Sequence, residues 1–355
     1  MKKIIYIFSA IALAALMSAC VDVDTKEVQK VPSPGDELFD DEYYENLREW
    51  KESDHILTYV YYAAWAPLEG ASSMYKDPTS MAERFIGLPD SLDIVNLWMG
   101  VPSSNPDDEY EYSPTAAEDM QYCRETKGTK FVMHVDASNY SHTFTYNGTS
   151  YTTTSGDETS LKAYADYYCE QVEYFGIDGL DFDFEGWTED DLAIVVEECS
   201  KYLGPASGTD YLLIVDYFSE KPSEDIEPYI DLLVCQAYSY QIGNSYSVLS
   251  SRQPTWCPDE KFVICEQWNQ SSDSGSNSDN GGYVPYYGYD GETLYTYNSS
   301  GEETEMASLE AYARYCKDGN AGGFGAFYID QDYYFANGTY YNLRRCIQIA
   351  CPSIR

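Results

Sequence analysis

The chain of 355 residues carries 60 acidic against 21 basic side chains, a formal charge of −39. A field of that sign disfavours nucleic acid and anionic lipid headgroups as partners and leaves neutral ligands. With three histidines, and no CxxC or Cys/His cluster among ten cysteines, there is little from which to build a zinc site.

Lys2 and Lys3 precede an apolar run from Ile4 to Met17 and the small residues Ser18 and Ala19, the pattern of an export signal over residues 1–19. Leu16-Met17-Ser18-Ala19-Cys20 resembles a bacterial lipobox. That resemblance implies cleavage before Cys20, acylation of its thiol, and a place at the outer membrane or surface of a Gram-negative cell. Residues 20–45, with Pro32, Ser33, Pro34 and Gly35 ahead of an acidic run, read as a tether. Residues 46–355 have the length of one α/β barrel.

Within that stretch, apolar strand candidates alternate with helical patterns. The candidates are His55 to Trp65, Asp93 to Met99, Lys130 to Asp136, Gly179 to Glu185, Tyr211 to Tyr217, Leu232 to Tyr240, Phe262 to Trp268 and Gly323 to Tyr328. Eight parallel strands with intervening helices predict a (β/α)8 TIM barrel. The clearest helices run from Leu161 to Phe175 and from Glu189 to Leu203; the second opens on Thr188 with Asp191 three residues on and stops at Gly204-Pro205. Long connections follow the second, third and seventh candidates, on the face where barrels build their sites. One of them, Thr143 to Thr152, alternates about Asn147-Gly148 and predicts a β-hairpin. Another, from Gln270 to Glu303, is first rich in Ser, Asp, Asn and Gly and then in Tyr. Cysteines such as Cys169, Cys199, Cys235, Cys265 and Cys316 fall inside these elements, where buried free thiols are expected.

The fourth candidate carries the chemistry. In an extended strand, alternate side chains share a face, so Asp181, Asp183 and Glu185 project one way and Leu180, Phe182 and Phe184 the other. Acids turned into a barrel mouth, with apolar residues under the helices, satisfy both faces. Three carboxylates so close repel, and one of them is expected to stay protonated at neutral pH and to serve as a general acid. Asp181, Asp183, Glu185 and Gly186 also fall at positions 1, 3, 5 and 6 of a calcium loop, but Leu192 stands where the bidentate Glu belongs. A Cys/His hydrolase built on His134 is formally open.

Asp178-Gly179-Leu180-Asp181-Phe182-Asp183-Phe184-Glu185 resembles the Asp-Gly-x-Asp-x-Asp-x-Glu signature of glycoside hydrolase family 18, the chitinases and endo-β-N-acetylglucosaminidases. The resemblance implies catalysis without metal or cofactor, the substrate's 2-acetamido oxygen acting as nucleophile. Glu185 would protonate the leaving oxygen, Asp183 would hold the acetamido N–H and the charged intermediate, and Asp181 would share a proton with Asp183. Gln236-Ala237-Tyr238 at the sixth candidate resembles the Gln-x-Tyr of the endo-β-N-acetylglucosaminidase branch, which implies that Tyr238 aims the acetamido oxygen with Gln236 beside it. The third candidate ends His134-Val135-Asp136 without the chitinase Ser-x-Gly-Gly, and the eighth ends Phe327-Tyr328 without the usual Trp. Trp65, Trp98 and Trp268 lie near strand ends, and Trp268, next to Glu266 and Gln267, is the candidate for stacking on a sugar. The expectation is a glycosidase acting on an oligosaccharide or N-glycan, with glycan-uptake proteins as neighbours; a chitinase, or a non-catalytic glycan-binding protein on the same barrel, are the alternatives.

Overall fold

A computed structural model describes residues 39–62, 85–98, 100–108, 111–268, 285–298, 300–334 and 339–352. The signal segment, Cys20, Trp65 and the first part of the loop from Gln270 lie outside the described residues.

Among the described residues twelve strands are formed in chain order. They are β1 Leu57–Tyr62, β2 Ile94–Leu97, β3 Lys130–Asp136, β4 Thr143–Tyr146, β5 Thr149–Thr152, β6 Gly179–Phe184, β7 Leu212–Tyr217, β8 Leu232–Gln236, β9 Phe262–Gln267, β10 Tyr295–Tyr297, β11 Glu303–Glu305 and β12 Gly323–Phe327. Eight of them close a parallel barrel in the order β1-β12-β9-β8-β7-β6-β3-β2, and each matches one sequence candidate. Closure between β1 and β12 depends on Gly325, where a Cβ would overlap the carbonyl oxygen of Tyr59.

Strand alternation separates two cores. Tyr59, Tyr61, Ile94, Val132, Ile214, Leu232, Val234, Val263 and Cys265 fill the lumen. Leu180, Phe182 and Phe184, each at most 1% exposed, face outwards with Leu192, Val195 and Val196 of the covering helix. Burial of each large side chain contributes about 1.5–3 kcal/mol, so the outward face of β6 holds its lumen face in place.

The helices follow from local chemistry. In α1, Asp41–Lys51, Asp40 caps the start by accepting Tyr43 N at 3.0 Å, and Asp41 and Glu42 lie at the positive end of the helix dipole. The acidic run read as tether up to residue 45 is therefore helical from residue 41, and the tether reading holds at most to residue 40. Next come α2, Pro114–Tyr122, and α3, Glu158–Phe175. In α4, Glu189–Cys199, Thr188 accepts Asp191 N at 3.2 Å. Asp191 does not return the bond: Thr188 N goes to Tyr140 Oη at 2.8 Å, and Asp191 receives Tyr140 Oη, Ser155 Oγ and Gly156 N. That ties α4 to the loop after β3. The chain continues through α5, Ser239–Ile242, α6, Tyr246–Arg252, α7, Ser308–Lys317, and α8, Tyr341–Ala350. Among the described residues no helix is long and apolar enough to cross a membrane.

The hairpin β4–β5 forms as the alternation predicts. Asn147 and Gly148 both take positive φ, 49° and 74°, as a type I′ turn requires. Phe144 then docks it on α3 through Tyr164 and Tyr167, with ring centroids 5.6 and 5.3 Å away. All nine described cysteines are buried and free.

Candidate active site

Asp181 and Asp183 point from β6 into the lumen, and Glu185 follows the strand's last residue at the exposed rim. The rim is built tightly. Ala137 N bonds Asp183 O and Trp187 N bonds Ala137 O, both at 3.1 Å, which extends the ladder past the strand end. Trp187 also donates Nε1 to Asn139 O at 2.7 Å and stacks on Tyr140. Gly186 lies so close to Ser138 that a Cβ there would overlap its carbonyl oxygen. The loop after β3 thereby fixes the backbone that carries Glu185. At the other end of β6, Asp178 receives Arg124 Nε and Nη2 at 2.8 and 2.7 Å and Phe131 N at 2.8 Å, away from the lumen mouth.

Asp181 is fully buried and accepts Tyr59 Oη at 2.5 Å and Asn96 Nδ2 at 2.7 Å, both on Oδ2. Burial pushes its carboxyl up to about 6, and those two donors oppose the rise. Asp183 is raised to about 7, first by burial and then by the negative charge of Glu185. Its Oδ1 receives Gln236 Nε2 at 2.8 Å, and His134 Nε2 stands 3.8 Å from Oδ2. Burial drives His134 down to about 4, so it faces Asp183 as a neutral imidazole.

Gln236 and Tyr238 reach the same place from β8. Leu232 and Val234 are in the lumen core, so alternation turns Gln236 and Tyr238 inward too. Tyr238 is 9% exposed, stacks between Phe218 and Phe327 at 5.9 and 6.2 Å, and its phenol is pushed well up, above all by burial. Glu266 of β9 locks the turn beyond it, accepting Ser239 N at 3.0 Å and Ser239 Oγ at 2.5 Å.

Five of the six residues named from the sequence therefore meet at one mouth. Trp268 does not join them. Val263 and Cys265 are in the lumen, so 267 is the inward position on β9, while Trp268 is 2% exposed in the layer between strands and helices. Its ring offers no face to a ligand; Gln267 occupies the lumen-facing place, with Trp98 and Phe327 packed on the lumen core across the mouth. Lumen residues that went unnamed as site residues include Tyr59, Asn96, Asp216 and Gln267, and His134 was named only for a Cys/His hydrolase. The signal for Asn96 and Asp216 was a lone polar residue in an apolar strand, Ile94-Val95-Asn96-Leu97 and Leu213-Ile214-Val215-Asp216-Tyr217. Among the described residues no group of three or more His, Cys, Asp or Glu is placed to hold a metal ion.

A buried carboxylate pair, a rim carboxylate two residues on, and an amide and phenol on a neighbouring strand form an arrangement suited to proton transfer and to stabilising a cation beside it. Residues 60–326 match the family described as the endo-β-N-acetylglucosaminidase EndoS TIM-barrel domain. Endo-β-N-acetylglucosaminidase F2 of Elizabethkingia meningoseptica is 28% identical over 211 residues, 57% of each chain. An endo-β-N-acetylglucosaminidase of Bifidobacterium longum subsp. infantis is 25% identical over 297 residues, 77% of this chain and 48% of its own. The chain thus spans about half the length of these relatives. Among solved structures, the apo endo-β-N-acetylglucosaminidase of Cordyceps militaris shares the fold with a TM-score of 0.61 at 20% identity, over 87% of this chain and 95% of its own. A substituted form of that fungal enzyme, in complex with fucosyl-N-acetylglucosamine-Asn, aligns with a TM-score of 0.58. With its barrel closed, its acids in register and most of its length matched, the chain belongs to the EndoS-type TIM-barrel family, the endo-β-N-acetylglucosaminidase type of glycoside hydrolase family 18.

Proposed function

We propose that the protein is an endo-β-N-acetylglucosaminidase that cleaves N-linked glycans beside N-acetylglucosamine, with retention of configuration and with the substrate's acetamido group as nucleophile. The observation that carries this reading is Asp183, which is clamped by Gln236 and set between the buried Asp181 and the exposed Glu185. A carboxylate tied into such a cluster is poorly placed to attack carbon and well placed to hold an N–H and a growing positive charge. Glu185, at the rim, protonates the leaving oxygen and afterwards takes a proton from water. Tyr238 aims the acetamido oxygen. The names of both bacterial relatives, and the fucosyl-N-acetylglucosamine-Asn held by the fungal one, support an N-glycan core as substrate.

The test is to incubate the protein with high-mannose and complex N-glycans and with chitin oligomers, and to follow products by mass and anomeric configuration. The expected result is cleavage of an N-glycan with a β product first formed, no cleavage when glucose replaces N-acetylglucosamine at the reacting sugar, and tight binding of a sugar thiazoline. An α product, or equal cleavage of the glucose analogue, overturns the mechanism. Binding without cleavage of any substrate overturns the activity.

We also propose that Cys20 carries the lipid that the Leu16-Met17-Ser18-Ala19-Cys20 pattern implies. A globomycin-type block should accumulate a larger precursor, and a soluble, unacylated mature form starting elsewhere overturns the anchor.

A further inference from the structure

Asp216 has no part in the roles assigned so far, yet it lies at the centre of the site. It sits in β7 at the register position of Asp183 and is fully buried. Gln236 Nε2 reaches its Oδ1 at 2.5 Å while holding Asp183 Oδ1 at 2.8 Å, so one amide fixes the two carboxyls side by side. Its other oxygen, Oδ2, is buried without a hydrogen-bond donor among the described residues. An ionised carboxylate only accepts, so two carboxyls held side by side can bond to each other only when one of them carries a proton.

The surroundings say which one. The titratable groups facing Asp216 are Asp181 and Asp183 of β6, Tyr59 and Tyr61 of β1, Tyr238 after β8 and Cys265 of β9. Every one is an acid, neutral or negative, and among the described residues none brings a positive charge. The imidazole of His134 stands against Asp183 and is kept neutral by burial. Three adjoining carboxylates without a cation cannot all ionise. Asp181 has two protein donors on Oδ2, and Asp183 keeps 17% of its side chain open to solvent. Asp216 has a half share of one amide and no exposure at all. Its anion would be the least stabilised of the three, and burial followed by the charges of Asp181 and Asp183 holds its carboxyl well above the usual range.

We propose that Asp216 is the resident proton holder of the site, a neutral carboxylic acid that donates a hydrogen bond to Asp183 and so favours and aims the Asp183 anion. The proposal rests on the endoglycosidase reading for what Asp183 does with that charge. No bond to the substrate is involved: the proton stays on Asp216 through the cycle, and the proton delivered and recovered is the one on Glu185. Asp216 is a positioning residue that acts through Asp183.

Infrared difference spectra of the substrate-free protein at pH 8, above the range in which Asp183 itself holds a proton, test the proton directly. Wild type minus Asp216→Asn should show the loss of one protonated-carboxyl carbonyl band, and Asp181→Asn should keep that band. In kinetics, Asp216→Asn retains an N–H that can donate to Asp183 and should lower kcat by roughly threefold to tenfold with KM within about twofold. Asp216→Leu fills similar space without a donor and should lower kcat by about 100-fold at similar KM. A purely space-filling role predicts Leu at least as active as Asn. If Asp216→Leu does not fold, carbon-13 NMR of aspartate carboxyls in the wild type and in Asp216→Asn decides. The expected result is one carboxyl that stays protonated through neutral pH and is missing from the Asn variant. A band or resonance unchanged in Asp216→Asn, or an Asn variant as impaired as the Leu variant, overturns the proposal. Should the wild type cleave no N-glycan, the endoglycosidase reading fails, while the infrared and NMR results still locate the proton.

Discussion

Tyr59 of β1 donates a phenol hydrogen bond to Asp181 Oδ2 of β6 at 2.5 Å through the barrel lumen, joining residues 122 apart in the chain. Asn96 of β2 donates to the same oxygen at 2.7 Å and to the Tyr59 hydroxyl at 3.1 Å. Charge-assisted bonds of this length favour the ionised form of the acceptor. Asp181 is thereby the anion of the cluster floor, and the negative charge it presents is one reason its neighbours Asp183 and Asp216 hold protons more tightly. Both donors come from strands outside the sequence motif, so the motif's chemistry is set by the barrel as a whole.

Glu185→Gln should abolish turnover while leaving glycan affinity within a few fold. The amide keeps the shape of the acid but has no proton to deliver at the leaving oxygen, a loss of roughly a hundredfold to ten-thousandfold in rate. Because Glu185 is exposed at the rim, the substitution should leave Tm close to wild type. Turnover by product mass, and binding by calorimetry, check both halves; wild-type activity in this variant removes Glu185 as the acid.

Gly186→Ala should lower kcat without removing any functional group. A Cβ at 186 has nowhere to go except into the Ser138 carbonyl, so either the loop after β3 or the backbone of Glu185 must shift. A displacement of about an ångström at the acid is enough to cost on the order of a hundredfold in rate. Steady-state kinetics beside a thermal melt separate this from unfolding: the expected outcome is a large fall in kcat in a folded protein. Unchanged kcat means that the loop yields and that Gly186 is not what places Glu185.

The barrel and the acids of β6 were legible in the sequence because both depend on local alternation. Leu180, Phe182 and Phe184 against Asp181, Asp183 and Glu185 is a period-two pattern that needs no knowledge of neighbours. Asp216 was not legible as a site residue, because its pairing with Asp183 is a matter of register between strands β6 and β7, nearly thirty residues apart in the chain, and a single acid in an apolar strand does not announce its partner. The tether boundary failed for a different reason. Asp40, Asp41 and Glu42 are as typical of a helix start as of a solvated linker, and only the packing of α1 decides: Arg48 and Lys51 reach Thr126 O and Leu92 O at 2.7 and 2.6 Å beneath the barrel. Trp268 was misplaced by one step of parity. Counting inward positions from Val263 and Cys265 leads to Gln267, and proximity to a strand end is no substitute for that count.

That parity makes adjacent residues behave oppositely. Trp268→Ala should destabilise the fold by about 3–5 kcal/mol, the cost of emptying a large buried aromatic site, with kcat and KM of the surviving folded fraction near wild type. Gln267→Ala should leave Tm nearly unchanged and raise KM severalfold, since its side-chain oxygen is buried at the mouth without a partner among the described residues and can meet a ligand. Chemical denaturation and kinetics of the two variants check the contrast. A rise in KM confined to Trp268→Ala would return the tryptophan to the substrate.

Asp183→Asn should be less active than wild type at every pH and yet more stable at alkaline pH. In the fold, Asp183 titrates at about 7 against an ordinary value of 3.8, raised first by burial and then by the charge of Glu185. Between those two values the folded state holds a proton that the unfolded chain has released. Stability contributed by this group is therefore fully present below pH 3.8 and is lost as pH rises through about 7. Asparagine has no such proton to lose, and its side-chain oxygen can still accept from Gln236 Nε2. The difference in Tm, variant minus wild type, should be near zero at pH 4 and positive at pH 8. Activity should move the other way, because the same substitution removes the negative charge that faces the developing cation. A site residue whose replacement stabilises the protein while slowing the reaction is one held in place against its own electrostatic preference. Thermal melts at the two pH values decide the matter, and a wild type more stable than Asp183→Asn at pH 8 means that Asp183 is paired well enough to be an ordinary structural carboxylate.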